Sequence, residues 1–339
     1  MMTQVTVVGT TSWGTTLGIL LARRGVPVTL LARTAGEADA LARDGENRRL
    51  LPGVAFPHAL LPSADVDIAL DGADLVVLAT PAQRLRENVS NLKPHVRPET
   101  VFLSAIKGLE RDTGLPMTQV LRAELPEAAD GRVCVLSGPN LSQEVVEDKP
   151  SSAVIACSDA SVAGWVQELY NTPTFRVYTS DDVIGVELGG ALKNAITIAA
   201  GISDGLGYGA NAKAALITRG LAEVTRLGVA CGAKPLTLSG LSGLGDMAAS
   251  SFSDLSRNRY VGEQVGQGRP LTEVLGGMVH VAEGVDTIRA ALHLAERYGI
   301  EMPITEMTSR ILFEGVDPRE ATVRLLNRTP GQEWPSALA

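Results

Sequence analysis

Two hydrophobic rhythms alternate along the first half of this chain. Gln4–Val8 is a short, β-branched run that stops at Gly9, the pattern of a buried strand. Ser12–Arg24 follows with Leu17, Leu20 and Leu21 at helical spacing. Val28–Ala32 returns to the strand rhythm. Further buried strands are predicted at Leu75–Ala79, Val101–Ser104, Val133–Leu136, Ala153–Ala156 and Phe175–Tyr178. Strands separated by helical segments predict a parallel sheet with right-handed crossovers, a doubly wound α/β domain. After Asp182 the strand rhythm stops. Gly185–Ile202, Ala212–Gly228, Arg257–Gly266, Gly284–Tyr298 and Ile304–Phe313 read as helices. The pattern divides the chain into an α/β domain over residues 1–182 and an all-helical domain over residues 183–339, with no internal repeat.

The first of those later helices carries an unexpected residue. Gly185–Ala200 is apolar or small on almost every side, as a core helix should be, yet it contains Lys193. Desolvating an unpaired ammonium is costly, so a buried lysine either neutralises or finds a partner. Glu187 is the only other charge in the run. Six residues turn a helix by about 240°, so Glu187 and Lys193 do not face each other. Either the lysine head snorkels to water, or its partner comes from elsewhere in the fold or from a ligand.

Composition narrows the field. At 339 residues the chain is long enough for two domains with separate cores. It is 45% hydrophobic and 20% charged, which is a globular balance. A net charge of −8 gives no global basic footprint for nucleic acid or an anionic membrane, so an anionic substrate needs a local positive pocket. Cys134, Cys157 and Cys231 are odd in number and far apart, which fits a reducing cytosol and no disulfide framework. His58, His95, His280 and His293 show no close metal-ligand spacing, so no metal is expected. No apolar run is read as approaching the ~20 residues that span a bilayer, and no basic region precedes the first apolar stretch. A soluble, cytoplasmic protein without membrane insertion is the expectation.

The strand ends hold the candidate chemistry. Gly9-Thr10-Thr11-Ser12-Trp13-Gly14 resembles the dinucleotide fingerprint G-x-G-x-x-G, between a strand and a helix as that motif requires. Gly9 permits the tight turn and Gly14 the close packing of helix on strand. Thr11 stands where the middle glycine normally lets backbone approach a pyrophosphate. Its hydroxyl either donates to a phosphate oxygen, or its Cβ pushes the cofactor outward. After the second strand, Ala32-Arg33-Thr34 has no acid until Glu37. Arg33 suits a ribose 2′-phosphate, so NADP(H) is preferred and NAD(H) tolerated. Lys107, after the strand ending at Ser104, is well placed for an anion. Ser137-Gly138-Pro139-Asn140 follows another strand and can bring backbone close to a ligand. Gly243-Leu244-Gly245-Asp246 and Ser256-Arg257-Asn258-Arg259 lie in the second half. Ser256 reads as a helix N-cap, and a helix N-terminus beside an arginine is a ready phosphate site.

Taken together, these stretches resemble the bacterial NAD(P)-dependent glycerol-3-phosphate dehydrogenase family. The matching segments are GTTSWGT at 9–15, KGLE at 107–110, SGPNLSQE at 137–144, IGVELGGALKN at 184–194 and GISDGLGYGANAKAALITRGL at 201–221. GLGD at 243–246, SRNR at 256–259, AEG at 282–284 and MPITE at 302–306 complete the series. The resemblance implies a Rossmann-like doubly wound N-terminal domain and an all-helical C-terminal domain. It implies interconversion of dihydroxyacetone phosphate and sn-glycerol 3-phosphate in supply of glycerophospholipids, and makes a homodimer plausible. It makes Lys193 the acid–base residue, with Asp246 holding it and Lys107 adding positive potential beside cofactor and substrate. Gly138, Asn140, Ser250, Ser256, Arg257 and Asn258 would line the substrate. Gly9, Thr11, Ser12, Trp13, Gly14, Arg33, Lys107, Ser142, Arg257 and Glu283 would contact the cofactor. The chain departs from the family pattern at Thr11, Asn140, Ile106, Gln143 and Ala249–Phe252. A different phosphorylated or acidic hydroxy substrate, or a non-catalytic NADPH-binding protein, are the alternatives.

Overall fold

The computed structural model of the chain describes residues 3–126, 131–278, 282–329 and 333. His280 lies outside the described residues, as do the ends of the two expected domains. Ten strands occupy the first part. They are β1 (Val5–Val8), β2 (Val28–Leu31), β3 (Glu46–Asn47), β4 (Leu51–Ala55), β5 (Leu60–Ser63), β6 (Leu75–Leu78), β7 (Val101–Ser104), β8 (Val133–Ser137), β9 (Ser151–Ala156) and β10 (Phe175–Ser180). Between them run α1 (Ser12–Arg23), α2 (Ala35–Asp44), α3 (Val66–Leu70), α4 (Leu85–Leu92), α5 (Met117–Glu124), α6 (Ser142–Val146) and α7 (Ala160–Tyr170). Among the described residues no strand follows Ser180. The helices there are α8 (Val183–Gly205), α9 (Gly209–Ala230), α10 (Pro235–Leu238), α11 (Asp246–Phe252), α12 (Arg257–Gly266), α13 (Leu271–Gly276), α14 (Glu283–Tyr298), α15 (Pro303–Glu314) and α16 (Pro318–Leu326).

Eight strands form one sheet in the order β10-β9-β8-β7-β6-β1-β2-β5. The six strands from β5 to β8 are the parallel, doubly wound core, and strand order reverses between β1 and β6. The expected parallel sheet is borne out over these six strands, while β9 pairs antiparallel with β8. β10 then runs parallel to β9. Val5, Val7, Leu75 and Val77 are almost wholly buried. Each such side chain contributes about 1.5–3 kcal/mol of burial, which holds β1 and β6 together at the reversal. The unforeseen β5 (LLPS) carries a proline, which an edge strand tolerates because one row of its N–H groups meets no partner.

The fingerprint turn depends on two glycines. Gly9 has φ +108°, and a Cβ there would lie 2.9 Å from the Ala79 carbonyl oxygen just after β6. A Cβ on Gly14 would overlap the Gly9 carbonyl. This close approach seats the N-terminus of α1 over the reversal point.

α8 is the axis of the helical region and is buried along almost its whole length. It corrects the bilayer expectation, since by length and composition it is long and apolar enough to cross a membrane. Here it is enclosed by protein. Asp182 caps it, accepting from the Gly185 N–H at 2.9 Å. Along α8 and α12 the backbones touch. A Cβ on Gly201 or Gly205 would collide with the carbonyls of Arg259 and Glu263, and one on Gly262 or Gly266 with those of Ile198 and Ile202. Four glycines therefore set the spacing of these two helices. Near its start, Gly189 and Gly190 bring α8 against Ser242 and Gly243 and against Ser137 at the end of β8. The middle of α8 is thereby pressed onto the C-terminal edge of the sheet.

Candidate active site

Lys193 sits at that edge. It is 5% exposed, so its head does not snorkel to water. Its Nζ donates to Ser250 Oγ at 2.6 Å and pairs with Asp246 Oδ1 at 3.1 Å. Glu187 points elsewhere, accepting from the N–H and hydroxyl of Thr118. The partner of Lys193 therefore comes from α11, as the helical-wheel argument requires. Asp246 is reached through a π-helical turn, Leu241–Gly245, which places its carboxylate beneath α8. The same carboxylate holds a second cation, Lys107 Nζ, 2.8 Å from Asp246 Oδ2. Lys107 also donates to the Gly138 carbonyl at 2.8 Å.

One buried carboxylate thus sits between two ammonium groups. Burial pulls Lys193 down to about 8, Lys107 and Arg257 push the same way, and Asp246 opposes them. Ser250 Oγ donates to Asp246 Oδ1 at 3.2 Å while accepting from Lys193. The hydroxyl expected to meet substrate links the two charged groups and keeps one acceptor position open.

Asn194, next along α8, was not singled out beforehand. Its Nδ2 donates to the Lys107 carbonyl at 2.9 Å, and its Oδ1 accepts from Asn258 Nδ2 at 2.8 Å. Asn258 Oδ1 accepts in turn from the Gly284 N–H at 3.1 Å. A buried asparagine inside an apolar helix was the available signal, because its amide needs partners at both ends. Ser256 caps α12 as read from sequence, accepting from the Arg259 N–H at 3.3 Å. Arg257 opens that helix with its side chain reaching solvent. Although its tip reaches solvent, desolvation by the protein packed around it lowers it below the ordinary arginine value, and Glu283 opposes the shift. Glu283 starts α14 and accepts from the Ala82 N–H at 3.3 Å, tying the helical region to the loop after β6. Burial raises it to about 7.

The remaining residues lie along the strand ends. Gly138 has φ +138°, with Ser152 O 2.9 Å from where a Cβ would sit. Asn140 Nδ2 donates to Ser152 O at 2.9 Å, while its buried Oδ1 has no partner among the described residues. Ser142 begins α6 and is half-buried. Trp13 packs half-buried against the sheet core, with Nε1 unpartnered among the described residues. Among those residues no cluster of His, Cys, Asp or Glu could hold a metal ion.

The crevice at β1 and β6 fits a dinucleotide. Gly9 and Gly14 let the turn and the start of α1 pack directly on Ala79 and on each other, and the first N–H groups of α1, at Ser12 and Trp13, lack intrahelical acceptors. Thr11 resolves one of its two readings. Its hydroxyl donates to Ala79 O at 2.8 Å and accepts from the Gly14 N–H at 3.0 Å. The proton that would serve a phosphate is committed to the protein, and Thr11 acts as the N-cap of α1. Arg33 stands exposed beyond β2.

Comparison with known proteins gives a consistent picture. Residues 4–163 match the family model described as NAD-dependent glycerol-3-phosphate dehydrogenase N-terminus, and residues 182–323 match its C-terminus counterpart. A protein of Anaeromyxobacter dehalogenans named glycerol-3-phosphate dehydrogenase (NAD(P)+) is 48% identical over 325 residues, covering 96% of this chain and 98% of that one. One of Streptomyces griseus with the same name is 46% identical over 96% of this chain and 97% of its own length. The crystal structure of glycerol-3-phosphate dehydrogenase from Coxiella burnetii superposes with a TM-score of 0.92 at 36% identity, covering 96% and 99% of the two chains. A ketopantoate reductase from Ralstonia eutropha, 16% identical with a TM-score of 0.60, shares the fold alone.

Proposed function

We propose a reaction from the premise that this chain belongs to the NAD-dependent glycerol-3-phosphate dehydrogenase family: dihydroxyacetone phosphate is reduced reversibly to sn-glycerol 3-phosphate. The chain is a nicotinamide-dependent oxidoreductase, a glycerol-3-phosphate dehydrogenase. The observation that carries the residue assignments is the buried Lys193 ammonium, paired with Asp246 and Ser250 at the sheet's C-terminal edge. A bound nicotinamide supplies the hydride. The protein must then neutralise and protonate the ketone oxygen, where negative charge develops. Lys193 does both, because an ammonium near 8 is charged at neutral pH and still gives up its proton readily. Asp246 keeps Lys193 and Lys107 together despite their repulsion. Ser256, Arg257 and the N-terminus of α12 take the phosphate, and Asn258 fixes that end to α8 through Asn194. Gly138 and Asn140 line the substrate side. Ser12, Trp13, Gly14, Ser142 and Glu283 border the cofactor crevice.

Arg33 supports a preference for NADPH over NADH. The last strand ends at Ser180 and α8 begins at Val183, which supports domains of 1–182 and 183–339 with substrate between them. Cytoplasmic residence, a role in glycerophospholipid supply and a homodimer follow from family membership alone.

Oxidation of NADPH by the purified protein with dihydroxyacetone phosphate tests the reaction. Turnover above background is expected, with a lower rate in NADH. A folded protein silent with both cofactors would remove this substrate and move the search to other phosphorylated carbonyl compounds. Arg257→Ala is expected to raise KM for dihydroxyacetone phosphate by about 10–100-fold, the loss of one charge-assisted phosphate contact, with a smaller change in kcat. An unchanged KM would take Arg257 out of the phosphate site.

A further inference from the structure

The acid nearest the end of β2 is engaged in a way its sequence position does not announce. Glu37, in the first turn of α2, folds its side chain back across the mouth of the crevice. Oε1 accepts from Thr10 Oγ1 at 2.6 Å, and Oε2 accepts from the Arg33 N–H at 3.2 Å. Thr10 belongs to the fingerprint turn and Arg33 to the end of β2, so one carboxylate bridges the two segments that flank the adenosine half of a dinucleotide in this fold. Thr34 fixes the base of the bridge, its hydroxyl accepting from the Glu37 N–H at 3.2 Å. Asn47 fixes the far side, donating to the Thr10 carbonyl at 2.8 Å. A carboxylate offers about four acceptor positions, so two bonds leave it able to take another donor.

We propose that Glu37 is a specificity-determining residue for the cofactor, its carboxylate facing the 2′ position of the adenosine ribose and opposing Arg33. The inference deepens the dehydrogenase reading and rests on it only for the nature of the dinucleotide. The 2′-hydroxyl of NADH is a donor to Glu37. The 2′-phosphate of NADPH is an anion that meets Arg33 favourably and Glu37 unfavourably. The two charges pull cofactor choice in opposite directions, and the preference for NADPH that Arg33 alone implies is held down.

Equilibrium titration of the full chain with NADPH and with NADH, followed by reduced-nicotinamide fluorescence without substrate, tests this directly. Glu37→Gln keeps the shape and removes the charge. It is expected to shift the ratio of the two dissociation constants toward NADPH by about tenfold, the scale of one lost like-charge contact. Thr10→Ala removes a strut and leaves the carboxylate. It is expected to weaken both cofactors alike, with the ratio kept within about twofold. Equal changes for both cofactors in Glu37→Gln would show a loop support and overturn the proposal, as would a shift toward NADH or a wild-type chain that binds neither. Selective binding without turnover of dihydroxyacetone phosphate would sink the proposed substrate and leave the role of Glu37 standing.

Discussion

Lys193→Ala is expected to lower kcat for dihydroxyacetone phosphate reduction by about 10³-fold or more, the combined scale of a lost general acid and a lost oxyanion partner. NADPH binding should stay nearly unchanged, because the lysine lies on α8 and not on the fingerprint turn. The variant also leaves Asp246 with Lys107 still at hand, so a buried unpaired carboxylate is not created. Stopped-flow mixing with NADPH separates cofactor binding from the chemical step. Full activity in the variant would remove Lys193 as proton donor. The wild-type pH profile follows from the same residue. Reduction needs the protonated amine, which exists below about 8, so its rate should fall as pH rises through that value. Oxidation of glycerol 3-phosphate needs the neutral amine and should rise over the same range.

Asp246→Asn is the second large effect. It removes the negative charge 2.8 Å from Lys107 and 3.1 Å from Lys193, leaving the buried Lys193 ammonium facing the half-buried Lys107. Uncompensated buried charge is relieved by neutralisation, so Lys193 should lose its proton at lower pH than in the wild type. The limb on which reduction declines should therefore move to lower pH. At neutral pH kcat should drop by about 10²-fold or more, the range expected when the acid is largely unprotonated and less well held. Activity measured from mildly acidic to alkaline pH checks this. An unshifted limb with reduced kcat would leave Asp246 a purely geometric support.

Much of this site was legible in the chain because it rests on local patterns. The apolar surroundings of Lys193 marked it as needing either water or a distant partner, the six-residue offset excluded Glu187 as that partner, and Ser256 announced its cap. β-branched runs announced the central strands. What stayed hidden depends on distant pairing. Nothing near Lys107 indicates that it shares Asp246, which lies 139 positions away. The Thr11 hydroxyl had two readings until Ala79, 68 positions on, claimed its proton. β4 (LPGVA) and β5 (LLPS) escape a search for alternation because proline and glycine interrupt them. The reversed β9 escapes for another reason, since a strand's own residues do not encode the direction in which it pairs. Glu37 lies six residues beyond Leu31, the end of the strand where such acids are sought, and only the fold-back of its side chain brings it to the crevice.

The glycine contact between α8 and α12 has a consequence for what the enzyme can accept. α8 carries the proposed proton donor and α12 the proposed phosphate anchor, and carbonyl groups abutting four glycines leave the two helices no room to move closer together. On the proposed assignment, the pair is a caliper set to one gap between the phosphate and the reducible carbonyl. Substrate length would then be gauged by backbone, so that exchanging side chains at the proposed site should not by itself admit a longer sugar phosphate. Retuning this scaffold for another chain length would begin at Gly201, Gly205, Gly262 and Gly266, positions that face the partner helix.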